Sequence, residues 1–288
     1  MIDRPGALRI RDVRRRFEDA AADFDSVDFL HRAAADGMFE RMLPIQFDTK
    51  RIIDLGCATG QMSRKLAAQY RRSRVLSVDL SGNMLRKAKS ARSRWSGIRE
   101  IQADANALPF AVGSADLVFA NLLLPWIDDV PRFFGEIARV LQKGGLFVFS
   151  TLGPDSLIEL RQAWQDIDSL QHVNSFIDMH DLGDALLHSN LHGPVLDVDK
   201  LTVNYTDTAS LIRDLSLAGA RNSLRERRRS LTPKGDFRAL NRNLQQHFTD
   251  GKLSLQLEIV YGHAWGAGAP QPPGEYRLDV AQVSRRRR

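Results

Sequence analysis

"RIIDLGCATGQMSRKL" (residues 51–66) runs from a short apolar stretch through an acid and two glycines four apart into a helical apolar pattern. That order reads as strand, tight turn, helix. Working outward, the same unit repeats. RVLSVDL (74–80) reads as a second strand, and SGNMLRKAKSARSRW (81–95) as a helix with Ser81 at its N-cap. IREIQAD (98–104) and ADLVFAN (115–121) read as strands, and DVPRFFGEIARVLQ (129–142) as a helix that stops before Gly144 and Gly145. GLFVFSTL (145–152) is a fifth strand. Strands alternating with helices, each nearly continuous in apolar residues, imply a parallel sheet covered on both faces. Right-handed crossovers make it doubly wound.

The flanks differ. Residues 12–42 read as helix, with apolar positions at Val13, Phe17, Ala20, Ala21, Phe24, Leu30, Ala34, Met38 and Met42, closed by Pro44. Beyond Leu152, residues 156–167 and 179–190 read as helices and 194–205 as a strand. A helical stretch follows from about Asp207 to Thr249. The last strand, 252–265, alternates Leu253, Leu255, Leu257, Ile259 and Tyr261 on one face. The fold expected is α/β and Rossmann-like: a doubly wound, mostly parallel sheet with an antiparallel last strand, N-terminal helices and a helical insertion before that strand. Residues 1–265 are expected to form one domain, with 1–48 an N-terminal helical segment and 49–152 the nucleotide-binding core. Residues 153–265 form a substrate-side half that carries the insertion at about 207–249. The Gly/Pro-rich and then basic residues 266–288 are expected to be a disordered tail.

Of 288 residues, 43% are apolar and 26% charged, ordinary for a soluble globular protein. No apolar run approaches the ~20 residues needed to span a bilayer. The arginine-rich N-terminus has no apolar signal core, and its acids Asp3, Asp12 and Glu18 argue against a transit peptide. A single cysteine, Cys57, excludes an internal disulfide and suits a reducing compartment, so the cytoplasm is the expected location. No cysteine/histidine cluster has zinc spacing, and no metal is expected. Lys plus Arg exceed Asp plus Glu by 6, and the excess is local: Arg14–Arg16, Arg225–Arg229 and Arg285–Arg288.

In such a sheet, ligands bind at the carboxyl ends of the strands, where strand order reverses. The first strand ends at Asp54, before Gly56-Cys57-Ala58-Thr59-Gly60. A dinucleotide fingerprint needs glycine where Ala58 stands, and no Lys-Ser/Thr pair marks a phosphate loop. The second strand ends at Asp79, placed to accept both hydroxyls of a ribose. The third ends at Asp104 in QADANALPF, where a carboxylate could accept the exocyclic amine of adenine, and the fourth at Asn121 in ANLLLPW. Acids at three successive strand ends describe an adenosine ligand with no phosphate and a cationic part near Asp54. S-adenosyl-L-methionine meets that description, whereas a pyrophosphate would be repelled.

The order D-L-G-x-x-x-G, V-D-L-S-x-x-M-L, D-A-x-x-L-P-F, D-L-V-x-x-N, V-L-x-x-G-G over residues 50–152 resembles class I methyltransferases. Beyond it, STLGPDSLIELRQAW (150–164), HVNSFIDMHDLGDAL (172–186), LEIVYGHAW (257–265) and RRFEDAAADFD (15–25) are similar to the malonyl-acyl-carrier-protein O-methyltransferases of biotin synthesis. So is a helix carrying His31 and Arg32. The resemblance implies a cofactor site with Asp54, Gly56 and Gly60 at the methionine end, Asp79 on the ribose, and Asp104 with Ala105 on the adenine. Leu80 and Met84 would flank the ring, with Asn121 near the transferring methyl. Two positions depart from the family: Ala58 replaces the middle glycine of G-C-G, and Phe24 stands where a tyrosine is frequent.

Methyl transfer to a carboxylate needs no general base, because a malonyl carboxyl group is already ionised at neutral pH. What the site must do is desolvate, align and hold it. The candidates are Arg161 and His172 for the carboxylate, with Phe24 and Trp126 as aromatic walls around the methyl. The partner implied is malonyl-loaded acyl carrier protein, an acidic protein, with Arg221, Arg225, Arg227, Arg228 and Arg229 as its docking surface. No nucleic acid or membrane partner is expected, since Asn121-Leu-Leu-Leu lacks the Asn/Asp-Pro-Pro-aromatic tetrad of amino-methylating enzymes. Two alternatives stay open. DKLTVNYTDTASLIRDLSLAGARNS (199–223) also resembles a complex I assembly factor that hydroxylates arginine, and a non-catalytic cofactor-binding assembly protein would share the core.

Overall fold

Every residue of β4 (Ala115–Ala120) is buried, as a strand in the middle of a doubly covered sheet must be. The computed structural model describes residues 7–47, 49–228 and 230–267. Around β4 lie β1 (Arg51–Leu55), β2 (Arg74–Asp79), β3 (Ile98–Gln102), β5 (Leu141–Leu152), β6 (Leu191–Tyr205), β7 (Phe248–Thr249) and β8 (Lys252–Gly266). Their order is β3-β2-β1-β4-β5-β8-β6, with β7 paired to β8. Strands β1 to β5 are parallel, and β8 runs antiparallel to β5, β6 and β7. Strand order reverses between β1 and β4, so the crevice lies above Asp54 and Asn121.

Helices α3 (Gln61–Gln69), α4 (Gly82–Ala91), α5 (Val130–Val140) and α7 (Met179–His188) join or cover these strands. Ser81 accepts from the Met84 amide at the start of α4, and Asp129 caps α5 through the Arg132 amide. One face of the sheet packs Phe133 and Phe134 of α5 on Phe147 and Phe149, whose rings stack 5.0 Å apart. The other packs Ala34, Met38 and Phe39 on Ile52, Leu117 and Phe119. Each fully buried phenylalanine contributes roughly 1.5–3 kcal/mol, a reserve against which a strained loop can be held.

Three flank readings are corrected. The expected single helix 12–42 is two, α1 (Ile10–Ala20) and α2 (Phe29–Met42), with a one-turn helix at Phe24–Ser26 between them. Asp23, Asp25, Ser26 and Asp28 favour turns over helix interior, and the break turns Phe24 inward onto Ala20, Ala21 and Met84. The expected helical stretch 207–249 is α8 (Thr208–Leu217), a sixteen-residue connection, α9 (Lys234–Gln245) and the short β7. Gly219, with φ +71°, ends α8. Gly266 closes β8 opposite Leu191 rather than opening the tail; residues 268–288 and Arg229 lie outside the described residues.

Strands β6 and β8 outrun the sheet. β5 pairs with β8 only from Ile259 to Trp265, whereas Leu253 to Leu257 continue against β6, with β7 opposite β8 only at Lys252 and Leu253. The overhang extends past the carboxyl end of β5 (Leu152 opposite Ile259) and packs Leu253 and Leu255 on α6 (Ile158–Gln165), α8 and α9. It projects on the side of the sheet where the strand-end acids stand.

Candidate functional site

The β1–α3 turn is shaped by three left-handed residues: Gly56 (φ +74°), Ala58 (φ 45°) and Gly60 (φ +73°). A side chain at Gly60 would meet the Ala88 Cβ at 2.8 Å, so α3 and α4 approach there only over glycine. Ala58 occupies a conformation costing an L-residue about 1 kcal/mol or more. Its amide donates to Asp79 Oδ2 at 2.9 Å, and the Gly56 and Cys57 amides donate to Val78 O at 2.8 and 3.0 Å. The turn's amides therefore hold its own neighbours and do not form a phosphate cradle.

Two cavities border this turn, and a third adjoins them through His31. The first, about 80 Å³, is bordered by Leu55, Gly56, Asp79, Leu80, Asp104 and Ala105, with Phe17 and Phe24 from the N-terminal segment over it. The second, about 30 Å³, continues past Asp54, Thr59 and Gln61 to Asp28. The third, about 280 Å³, is mostly apolar and lies under the overhang, with Leu157, Trp164, Val203, Tyr205, Leu255 and Leu257 in its walls. Trp126 borders the first and third, and His31 borders all three.

The acids are poised by burial. Asp79 accepts from the Ser81 and Ala58 amides, but burial dominates and raises its pKa to about 6, with the Glu18 charge adding to the rise. Burial likewise pushes Asp54 up to about 7, although Ser63 donates to it and is itself held by Ser77. Asp104 accepts from the Asn106 amide at 2.9 Å and keeps its place on the cavity wall. Asn121 is a brace: its amide donates to His31 O at 2.8 Å, and its oxygen accepts from Ser150 Oγ at 2.7 Å.

The expected cofactor residues thus converge, with two exceptions. Met84 is wholly buried behind Phe24, away from the cavity wall, and Gly60 acts through the turn. The substrate-side expectations fare unevenly. Phe24 and Trp126 border the cavities. His172 borders the largest one, stacked on Trp164 with ring centroids 3.7 Å apart and bonded to Asp168 at 2.8 Å. Arg161 does not: its guanidinium donates to the carbonyls of Pro154 and Ser156 and holds the loop before α6. The residue that sequence reasoning passed over is His31. Its imidazole packs 4.9 Å from the Phe24 ring, its Nδ1 has no hydrogen-bond partner, and burial lowers its pKa to about 4. The only signal for it was the resemblance of the helix that carries it.

The basic run is not a free surface. Arg225 pairs with Asp128, Arg227 with Asp12, and Arg228 with both Asp168 and Asp236. Arg221 is exposed and borders the largest cavity. The connection carrying these residues pairs with the N-terminal strap: Arg9 N donates to Ser223 O at 2.9 Å and Arg225 N to Ala7 O at 2.8 Å.

Residues 53–149 match the methyltransferase domain family. A malonyl-acyl-carrier-protein O-methyltransferase of Halorhodospira halophila is 38% identical over 284 residues, covering 96% of both chains. Another, from Nitrosospira multiformis, is 44% identical over 165 residues, 57% of this chain; that match spans about half, 54%, of the relative's length. Among solved structures, the methyltransferase bound to its activator in Haloferax volcanii superposes with TM-score 0.57 at 18% identity, over 90% of this chain and all of the other, a likeness of fold. The chain belongs to the malonyl-acyl-carrier-protein O-methyltransferase family of S-adenosylmethionine-dependent methyltransferases.

Proposed function

We propose that this chain methylates the free carboxylate of malonyl-acyl carrier protein, using S-adenosyl-L-methionine, to give the methyl ester that primes pimeloyl synthesis for biotin. The observation that carries the proposal is the meeting of an acid-lined cavity with a larger apolar one at His31 and Trp126. The cofactor fits the residues present: Asp79 faces the first cavity for a ribose, Asp104 and Ala105 border the place of an adenine, and buried Asp54 suits a cationic methionine end. When bound, it supplies an electrophilic methyl group. His31, which borders all three cavities, then holds the malonyl carboxylate in place of Arg161. A neutral imidazole suits this work, since it can donate one hydrogen bond without pairing so tightly that the oxygen stops attacking. The apolar chamber strips water from the carboxylate and accommodates the thioester arm. Esterification removes a charge, which lets an apolar synthase pocket accept the product.

For docking of the acidic carrier, exposed Arg221 and Arg225 on the strap-paired connection form the outer basic face. Arg227 and Arg228 support it through their internal ion pairs. Intact-mass analysis of malonyl-carrier protein incubated with enzyme and cofactor tests the reaction. A gain of one methyl group as a base-labile ester is expected, unchanged by EDTA. Methylation at nitrogen, or an arginine hydroxylated on a bound partner, would overturn it in favour of another activity.

A further inference from the structure

Where α1 meets the connection after α8, three arginines face one acid. Arg16 lies among the charges of Arg227, Arg221 and Asp12. Arg227 Nη2 reaches Asp12 Oδ2 at 2.7 Å, yet its Nη1 is buried without a hydrogen-bond partner. Arg16 Nη1 is buried and unpartnered as well. Two enclosed guanidinium donors without acceptors, each beside a like charge, are costly to keep. Burial and the neighbouring arginines lower the Arg16 pKa to about 10, in accord with a pocket short of negative charge. An anion with several acceptor oxygens would satisfy both donors, and arginine forks suit phosphate oxygens.

Position narrows the class of anion. Arg221 and His31 both border the large apolar chamber. A thioester whose carboxylate lies at His31 and whose arm fills that chamber therefore runs past Arg221, beside which the charges of Arg16 and Arg227 stand. We propose that Arg16, Arg221 and Arg227 bind the phosphate at the far end of a phosphopantetheine thioester. This site shares exposed Arg221 with the outer face that meets the carrier protein and adds the enclosed Arg16 and Arg227 behind it, and it rests on the carrier-thioester reading of the chamber.

The test begins with binding, which needs no methyl transfer. Calorimetric titration of the intact protein should show 4′-phosphopantetheine binding at least tenfold more tightly than pantetheine, with inorganic phosphate competing against the former only. Arg16→Gln should erase that preference. Arg221→Gln should reduce it severalfold, and because that side chain is exposed, its fold stays sound. In turnover, both variants should lower kcat/KM for malonyl-CoA and malonyl-carrier protein relative to malonyl-pantetheine. Equal affinity for the two arms, or a preference surviving in both variants, overturns the proposal. A loss confined to carrier protein also overturns it, because that result assigns the arginines to protein docking. A phosphate preference without methylation of any malonyl thioester would instead refute the reaction assigned to the chamber and leave the phosphate site standing.

Discussion

His31 and Asp54 show how a single residue's surroundings set its task. Replacing His31 with alanine removes a hydrogen bond to a charged group, worth ~1.5–3 kcal/mol, so turnover of malonyl-carrier protein should fall roughly ten- to hundredfold. Cofactor affinity, measured by calorimetry, should stay within about threefold, because we assign it to the strand-end acids; a parallel loss of both would remove His31 from the substrate side. Asp54 makes a pH prediction. Its pKa rises from 3.8 to about 7 on folding, so the folded chain holds a proton that the unfolded chain has released. Its contribution to stability is complete at acid pH and is lost as pH rises through 7. His31, depressed to about 4, acts with the opposite sign, its contribution growing between about pH 4 and 6.5. A difference between proteins isolates the acid. Asp54→Asn without cofactor should exceed wild type in Tm by a margin that widens from pH 5 to 8, while binding cofactor less tightly. A constant margin would mean that Asp54 is ionised throughout.

At the scale of elements, the glycine turn and the broken N-terminal helix mark where the sequence was and was not legible. Strands β1 to β5 and the cap Ser81 were readable, because apolar run length and capping chemistry are local. The break at residues 21–28 was not, because apolar spacing continues across it and only the Asp/Ser cluster marks the turn. In the site, the acids were visible as strand ends. The apolar chamber was hidden, since its walls come from residues near 30, 125, 160, 205 and 255. Arg161 misled for a related reason: nothing in its spacing shows that its own loop's carbonyls satisfy it. Ala58 tests the turn. Ala58→Gly relieves a left-handed alanine, so stability should rise by up to ~1 kcal/mol, an increase of a few degrees in Tm. A fall in Tm would show that the conformation carries no strain.

Across the whole molecule, an excess of 6 positive charges is concentrated in basic runs, one of which was read as the docking surface for an acidic carrier protein, but most described arginines of that run are neutralised by the chain's own acids. Net charge said nothing of that pairing. The long-range field remains, and it predicts that KM for malonyl-carrier protein climbs as ionic strength rises from about 0.05 to 0.3 M, while KM for malonyl-pantetheine changes little. Equal salt dependence for both substrates would place the effect at the active site and not in docking.

The strand order has a consequence for synthesis. β8 lies between β5 and β6 yet follows both in the chain. While the ribosome is still making residues 206–251, β5 and β6 each present a row of unpaired amides and carbonyls with no neighbour to receive them. Parallel strands β1 to β5 can assemble as they emerge, but the edge of β5 stays open until Ile259 to Trp265 arrive. The nascent chain is then most prone to pair with its copies on the same messenger, and a stop codon between residues 206 and 252 would freeze it in that state.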